Sequence, residues 1–452
     1  MKSSDNTFLP GILEGVFRVM AEVTPPLAAM PLAEARQIAA CHARALADEG
    51  WFYAILLDDR PDEAPRVDAD DVYAAIAENF PAPVVRMLSG KGRTPVDAKS
   101  LLLDADSRNE RLFCMASGDG RPLAKVYLDS VDALKLCHGE LAGIVAGATV
   151  NISKYTAPDI ALSYAKLSRK IRNGAKFFFC QATWDMKKAQ ELQWELQLRD
   201  TMAPVVARVV WLSRDNLITP PTPPLPPGVA IPELYLRDIR SAYTKGDEEG
   251  RRFQAKALAM IMTGFKRLGF SGVLLSGDHS SQDRNALHEE FEKAQGEFPD
   301  YNAWNENWHG LWEQLMLPPV RSPRYLFAKL LTHNMRDPEM LDFDPASALD
   351  VGKASLMDRF VSSCLRYAAN PSVGAGTRRF ICRLCGVDPR GLPMLGPLGY
   401  LPSHECPKGL TEGACGNVSC DGHCECNPRK LCFFRRVFAL ASHRGRLADM
   451  ES

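Results

Sequence analysis

The sequence predicts an α/β chain, a (β/α)8 barrel followed by a mainly helical or irregular cysteine-rich domain. Two observations carry the barrel. From residue 16 to about 295, eight short, continuously apolar runs alternate with longer amphipathic stretches, as in a parallel sheet covered by helices. No Gly-x-Gly-x-x-Gly follows the first run, so a closed barrel is preferred to an open dinucleotide-binding sheet. A third observation carries the second domain: eight of the thirteen cysteines fall between Cys382 and Cys432.

The predicted strands are 16–22, 52–57, 83–88, 111–117, 145–150, 176–180, 204–211 and 272–276, each rich in Val, Leu, Ile or Phe. Helices are expected at 32–48, 69–79, 157–173, 186–199 and 251–268, the last stopped by Gly269. Residues 218–228 contain six prolines and cannot be helical; they read as a stiff loop replacing a barrel helix, or as part of a lid. After residue 296, Trp304, Trp308 and Trp312 recur on one helical face, extended by Tyr301 and Leu315, and should pack a second unit on the barrel. Residues 323–371 also read as helical, so the domains are placed at 1–295 and 296–452.

Composition narrows the class. A hydrophobic fraction of 46% and a charged fraction of 24% are those of a globular protein. A net charge of −1 with no basic block gives no footing for nucleic acid or an anionic membrane, and no run approaches a spanning length. Nothing resembling a secretory leader opens the sequence, and Cys41, Cys114, Cys137, Cys180 and Cys364 are scattered as reduced thiols would be. The expected location is the cytoplasm; an oligomer is allowed. In that compartment a dense thiol frame implies metal rather than disulfides. Its members are Cys382, Cys385, Cys406, Cys415, Cys424 and Cys432, with Cys420 and Cys426 as extras. Eight thiolates suffice for two four-ligand sites, and such a set serves zinc or a [4Fe–4S] cluster, with the cluster preferred.

In such a barrel, chemistry collects at the carboxyl ends of the strands. The polar residues there are Glu22, Asp58, Asp59, Arg86, Asp119 and Gln181, with Ser276 and Asp278 after the eighth strand. Glu22 and Asp119 make an acid and an anion at one mouth, and a desolvated carboxyl suits a general acid.

Several segments resemble methylenetetrahydrofolate reductases. They are Glu22-Val23-Thr24-Pro25-Pro26, Ser117-Gly118-Asp119, the run from Lys170 through Gly174-Ala175 to Gln181 and Asp185, and Gly228-Val229-Ala230-Ile231-Pro232. The frame Cys406-Pro407-Lys408-Gly409-Leu410, Gly413-Ala414-Cys415-Gly416 and Asp421-Gly422-His423-Cys424-Glu425 is similar to the cysteine-rich domain fused to, or partnering, some of these reductases. The resemblance implies interconversion of 5,10-methylene- and 5-methyl-tetrahydrofolate, usually through FAD. It makes Glu22 the acid that opens the folate ring, Asp119 the stabilising charge and Gln181 the pterin partner. It assigns Ser117, Gly118, Asp119, Tyr127, Arg169 and Lys170 to the cofactor. The family's Thr, His and Tyr near the flavin have no counterparts here; Leu57 or Asp58, Arg86 and Ser276 stand in those places, so the flavin pocket is eroded. The reading is a folate-dependent oxidoreductase with electrons passing through the thiol-bound metal. Its alternatives are a non-catalytic folate-binding or electron-transfer subunit and a folate-dependent methyl-transfer protein. A redox or methyltransferase protein partner is allowed.

Overall fold

A computed structural model describes residues 5–60, 64–120, 123–201, 203–218, 228–327, 352–392 and 395–451. Eight parallel strands close in sequence order. They are β1 (Arg18–Val23), β2 (Phe52–Leu57), β3 (Val84–Ser89), β4 (Leu112–Ala116), β5 (Val145–Val150), β6 (Phe178–Cys180), β7 (Val205–Trp211) and β8 (Gly272–Gly277). Pairing of β8 with β1 seals the barrel, with Val19 opposite Val273 and Ala21 opposite Leu275. Most of the expected runs are strands within a residue or two, because each is apolar on both faces and can be buried on both. β6 is the exception, reduced to three residues.

Side-chain alternation sorts the strands into an interior and an exterior set. Met20, Ala54, Val85, Cys114, Phe179 and Leu274 belong to one buried interior cluster, which Phe8 and Ile12 join from the first helix, α1 (Asp5–Leu13). The Phe8 ring meets Phe177 edge-on at 5.0 Å, so α1 plugs the amino-terminal end of the barrel. Two residues beyond Met20, Leu56, Phe179, Val206 and Leu274 of this cluster, the same parity projects Glu22, Asp58, Gln181, Arg208 and Ser276 toward the carboxyl-terminal mouth.

The tryptophans pack on the barrel, but in its own core cluster and not in that of the carboxyl-terminal part. Trp304, Trp308 and Trp312 are buried, and Trp304 donates from Nε1 to the Met260 carbonyl at 2.9 Å. The helix they occupy is α-helical over Tyr301–Asn307 and widens to a π turn over Trp308–Trp312. Gly264 leaves room for the ring, since a Cβ there would lie 2.4 Å from Trp304 Cζ2. The helical reading of 323–371 is realised over Leu356–Ala369, while residues 323–327 are loop and turn. Residues 328–351 and most of the proline run, 219–227, lie outside the described residues.

The carboxyl-terminal part is built from the helices Leu356–Ala369, Ala375–Leu384 and Phe433–His443 with a two-stranded ribbon, His423–Cys424 and Asn427–Leu431. Phe434, Val437 and Leu440 of the last helix form its core together with Leu162 of α6 (Ala157–Arg172). The second unit therefore shares its core with one barrel helix. No helix of the described residues is long and apolar enough to cross a membrane.

Candidate functional site

Two groups of polar side chains meet at the mouth, and they differ in how well they are satisfied. On β1, Glu22 Oε1 lies 2.7 Å from Arg208 Nη2 of β7, both side chains about nine-tenths buried. Arg208 is the one charged residue in Val205–Trp211, and interior parity turns it to face Glu22 across β8. Asp58, just past β2, accepts a hydrogen bond from the Asp59 amide at 2.8 Å. Burial pushes its carboxyl up to about 7; the nearby Glu22 charge pushes the same way and Arg208 opposes both. Three buried polar atoms of this layer have no partner, Gln181 Oε1, Arg208 Nε and Ser276 Oγ, while Glu22 Oε1 has its ion pair with Arg208 and no further hydrogen bond. They sit on or just past β6, β7, β8 and β1, which are consecutive around the barrel. Unpaired buried polar atoms cost stability, so this incompletely satisfied layer is the candidate place for a polar ligand.

The other group is fully engaged. Asp119 shares the mouth end of the barrel with Glu22, but its Oδ1 is 2.5 Å from Lys91 Nζ. Burial raises its carboxyl above the ordinary range, with Lys91 pulling the other way. Gly118 takes a positive φ of 81°, and its carbonyl accepts from Lys408 Nζ at 2.6 Å. Lys408 also pairs with buried Glu425 and lies 5.3 Å from the centre of the Tyr127 ring. The Gly120 amide donates to Glu425 at 3.0 Å, and a Cβ at Gly120 would fall 2.3 Å from Cys426 Sγ. Ser117 Oγ accepts from the Ser130 amide at 3.1 Å, fixing the start of the helix Ser130–Leu136. The carboxyl-terminal part thus seats on the loop after β4.

The expected cofactor-binding residues are tied down by the same contact. Arg169 is ion-paired with Glu412, and Lys170 donates to the Thr149 carbonyl at 2.5 Å. Burial lowers the Lys170 ammonium to about 8, with Lys166 acting in the same direction. Lys91 and Lys408 hold Asp119, Gly118 and Tyr127. Most of these cationic and polar groups already have protein partners, so they fit a flavin cradle poorly; the exception is Arg169 Nε, buried without a hydrogen-bond partner. Two other expectations are corrected. Arg86 faces outward at the middle of β3, between the Tyr73 and Phe113 rings, where it pairs with Asp70 and Glu110. Asp59 braces two loops, accepting from the Ser89 amide at 2.9 Å and pairing with Arg93.

The eight thiols of the frame fall in three places. Cys406, Cys415, Cys424, Cys426 and Cys432 line one cavity of about 590 Å³. Cys424 is drawn down to about 6, first by the Cys426 sulfur that hydrogen-bonds to it. Cys420 lies instead near Lys154, which donates to the Val418 carbonyl at 2.5 Å. Cys382 and Cys385 lie apart with Cys364, whose thiol hydrogen-bonds to Cys385. Cys364 was therefore misread as a scattered thiol, and Cys41 is exposed. Among the described residues, no three His, Cys, Asp or Glu side chains converge as a ligand set for one ion. The five thiols that share this cavity have the donor chemistry that zinc or an iron–sulfur cluster takes.

Cys415 and Val418 line this cavity on one side, and on the other a crevice of about 40 Å³ that Gln181, Thr149 and Lys170 also border. One stretch of backbone thus separates the thiols from the barrel mouth. A larger cavity, about 810 Å³, opens at the amino-terminal end of the strands beside Trp51, Tyr53 and His288, away from Glu22.

Fold and site define a barrel protein whose ligand mouth is walled on one side by a thiol-rich carboxyl-terminal domain. Residues 368–452 match the family described as "Methylene-tetrahydrofolate reductase C terminal". The resemblance read from the cysteine frame is therefore shown for that part of the chain, and the barrel ahead of it is the fold the resemblance implies. No curated protein matches the chain. Among solved structures, an uncharacterized Clostridium thermocellum protein that binds two copies of 5-methyl-5,6,7,8-tetrahydrofolic acid is 14% identical, with TM-score 0.46, over 64% of this chain and 98% of that one. The carboxyl transferase domain of Rhizobium etli pyruvate carboxylase is 12% identical, with TM-score 0.39, over 89% of this chain and 60% of that one. A putative lyase/mutase from Burkholderia cenocepacia is 13% identical, with TM-score 0.38, over 69% and 97%. At these levels the likeness carries no argument about ligand or chemistry.

Proposed function

We propose that the chain is a folate-dependent one-carbon oxidoreductase interconverting 5,10-methylene- and 5-methyl-tetrahydrofolate. One observation carries the reading: the incompletely satisfied polar layer contains Glu22 and Gln181, two of the three residues that the sequence resemblance gives to pterin chemistry. Gln181 supplies an amide edge for the pterin. Glu22 gives its proton to the folate N10 as the five-membered ring opens, and the resulting iminium carbon accepts hydride. In the reverse direction Glu22 takes the proton back. Asp58 is the neighbour that holds a proton near neutral pH and returns it to Glu22, while Arg208 holds the Glu22 carboxylate in place between turnovers. This moves the second carboxylate of the site from Asp119, which Lys91 neutralises, to Asp58.

The hydride equivalent has to come from outside the barrel, since most of the flavin positions are taken. An iron–sulfur cluster held by four of Cys406, Cys415, Cys424, Cys426 and Cys432 would relay single electrons only. The hydride itself would come from a two-electron donor of the reduced flavin or nicotinamide class brought by a partner, which such a cluster could recharge. The wall at Cys415–Val418, shared between thiols and mouth, supports that route. The crevice beside Gln181 has room for about one water molecule, far less than a pterin needs. Folate must therefore displace the segment 414–418, which would couple substrate binding to the thiol domain.

The test is Glu22→Gln in anaerobically purified protein with metal analysis. Turnover should fall by about 10²–10⁴-fold while 5-methyl-tetrahydrofolate still binds in a calorimetric titration. Unchanged turnover removes Glu22 from the mechanism, and absence of folate binding in the parent protein removes the reading altogether. Folate binding without turnover in the parent would leave a binding subunit.

A further inference from the structure

We infer that the helical pair Leu356–Ala369 and Ala375–Leu384 is a docking face for an acidic protein of the electron-carrier class. The pair leaves an unusual amount of apolar surface in water. Leu356, Met357, Phe360, Tyr367, Phe380 and Leu384 are each between 57% and 80% exposed. Scattered exposed side chains need no explanation, but six within 29 residues do. They are arranged in stripes: Leu356, Phe360 and Tyr367 follow helical spacing on the first helix, and Phe380 and Leu384 on the second. At 100° per residue, Met357, Phe360 and Tyr367 lie within about 60° of the direction of Cys364. Cys364 in turn touches Cys385, where the second helix ends. The first stripe therefore runs beside the seam that holds the three thiols.

Charge selects the partner. Arg359, Arg366, Arg378, Arg379 and Arg383 lie on the two helices, and none is in an ion pair among the described residues. The two carboxylates of this stretch are already used, Asp358 by Arg436 and Asp388 by Arg390. Arg444 adds to the positive field by reaching Ser363 of the first helix at 3.3 Å. The face is thus locally basic on a chain of net charge −1. No lysine occurs between Ser355 and Gly391. Arginine, methionine and aromatic rings without lysine are the composition of protein interface cores, and guanidinium forks pair with carboxylates in two places at once. An acidic protein surface with an apolar centre complements that set. The thiols beneath the seam make an electron carrier the fitting class.

The choice of class rests on the redox reading above, but the test measures binding without turnover, so its failure leaves the folate chemistry standing. The full chain is titrated calorimetrically with an acidic [2Fe–2S] ferredoxin as the probe. Binding is expected with Kd in the micromolar range. Raised salt should weaken it, and the pair Arg379→Glu and Arg383→Glu should weaken it about tenfold or more, as should Phe380→Ser. Lys256→Glu, on a barrel helix, should bind like the parent. No heat at about 100 μM probe, or variants that bind as the parent does, overturns the proposal. It is equally overturned if these variants abolish flotation with phosphatidylserine vesicles, or a dimer seen by sedimentation, while ferredoxin does not bind.

Discussion

The two halves of the barrel mouth use the same kinds of residue to opposite ends. On the β3–β6 side, Asp119 pairs with Lys91 and Lys166 with Asp129 inside the barrel, while Arg169 pairs with Glu412 of the carboxyl-terminal part and keeps its Nε without a hydrogen-bond partner. On the β6–β7–β8–β1 side, Gln181, Arg208 and Ser276 keep polar atoms without a hydrogen-bond partner, and Glu22 Oε1 has only its ion pair with Arg208. Buried polarity alone does not locate a ligand. The more satisfied half carries the contact between two parts of one chain; the other half is where the proposed ligand would sit. Each prediction below presses on that distinction.

The largest effect should come from the more satisfied half. Lys408 and Glu425 are almost wholly buried, and Lys408 also holds the Gly118 carbonyl. Lys408→Met leaves the buried Glu425 carboxylate without its cation and should cost about 3–5 kcal/mol in urea unfolding. Replacing both partners, Lys408→Met with Glu425→Leu, should recover much of that loss, because no charge is then stranded. If the single variant costs nothing, the clasp on the β4 loop is not an interface, and the comparison fails.

Much of this was legible beforehand, for physical reasons. Buried parallel strands write themselves as apolar runs, so the barrel could be read strand by strand. Glu22 and Gln181 were found because they stand where apolar alternation stops. Arg208 gave a signal that went unused, a lone charge in the strand Val205–Trp211 whose parity matches buried Val206. The clasp could not be read. Lys408, Glu412 and Glu425 lie in irregular chain without periodicity, and their partners Gly118 and Arg169 are far away in sequence. For the same reason the split of the cysteines into separate places was hidden: spacing along the chain does not say which thiols converge.

The middle-sized effect belongs to the less satisfied half. Arg208→Met should remove the cation facing Glu22 and lower turnover by about ten- to a hundredfold, with Arg208→Lys recovering part of it. A structural role alone would show in unfolding and not in the pH profile. The acid limb of turnover should move in Arg208→Met, because Arg208 is the group that opposes the rise in the Asp58 carboxyl.

The smallest effect tests Asp58 by stability. Its carboxyl is raised from an ordinary 3.8 to about 7, so the folded protein binds a proton that the unfolded chain releases between those values. Stability contributed by this group is present below about pH 4 and is lost as pH rises through about 7. Asp58→Asn removes the titration. At pH 8 it should be more stable than the parent by roughly 1–3 kcal/mol in urea melts, and at pH 4 nearly equal to it. The gain marks a carboxylate left buried for use, as the less satisfied half requires. A variant no more stable at pH 8 than at pH 4, relative to the parent, would mean that Asp58 is held by partners of its own, as the Asp59 oxygens are by Ser89 and Arg93. The line between the two halves would then run between Asp58 and Glu22.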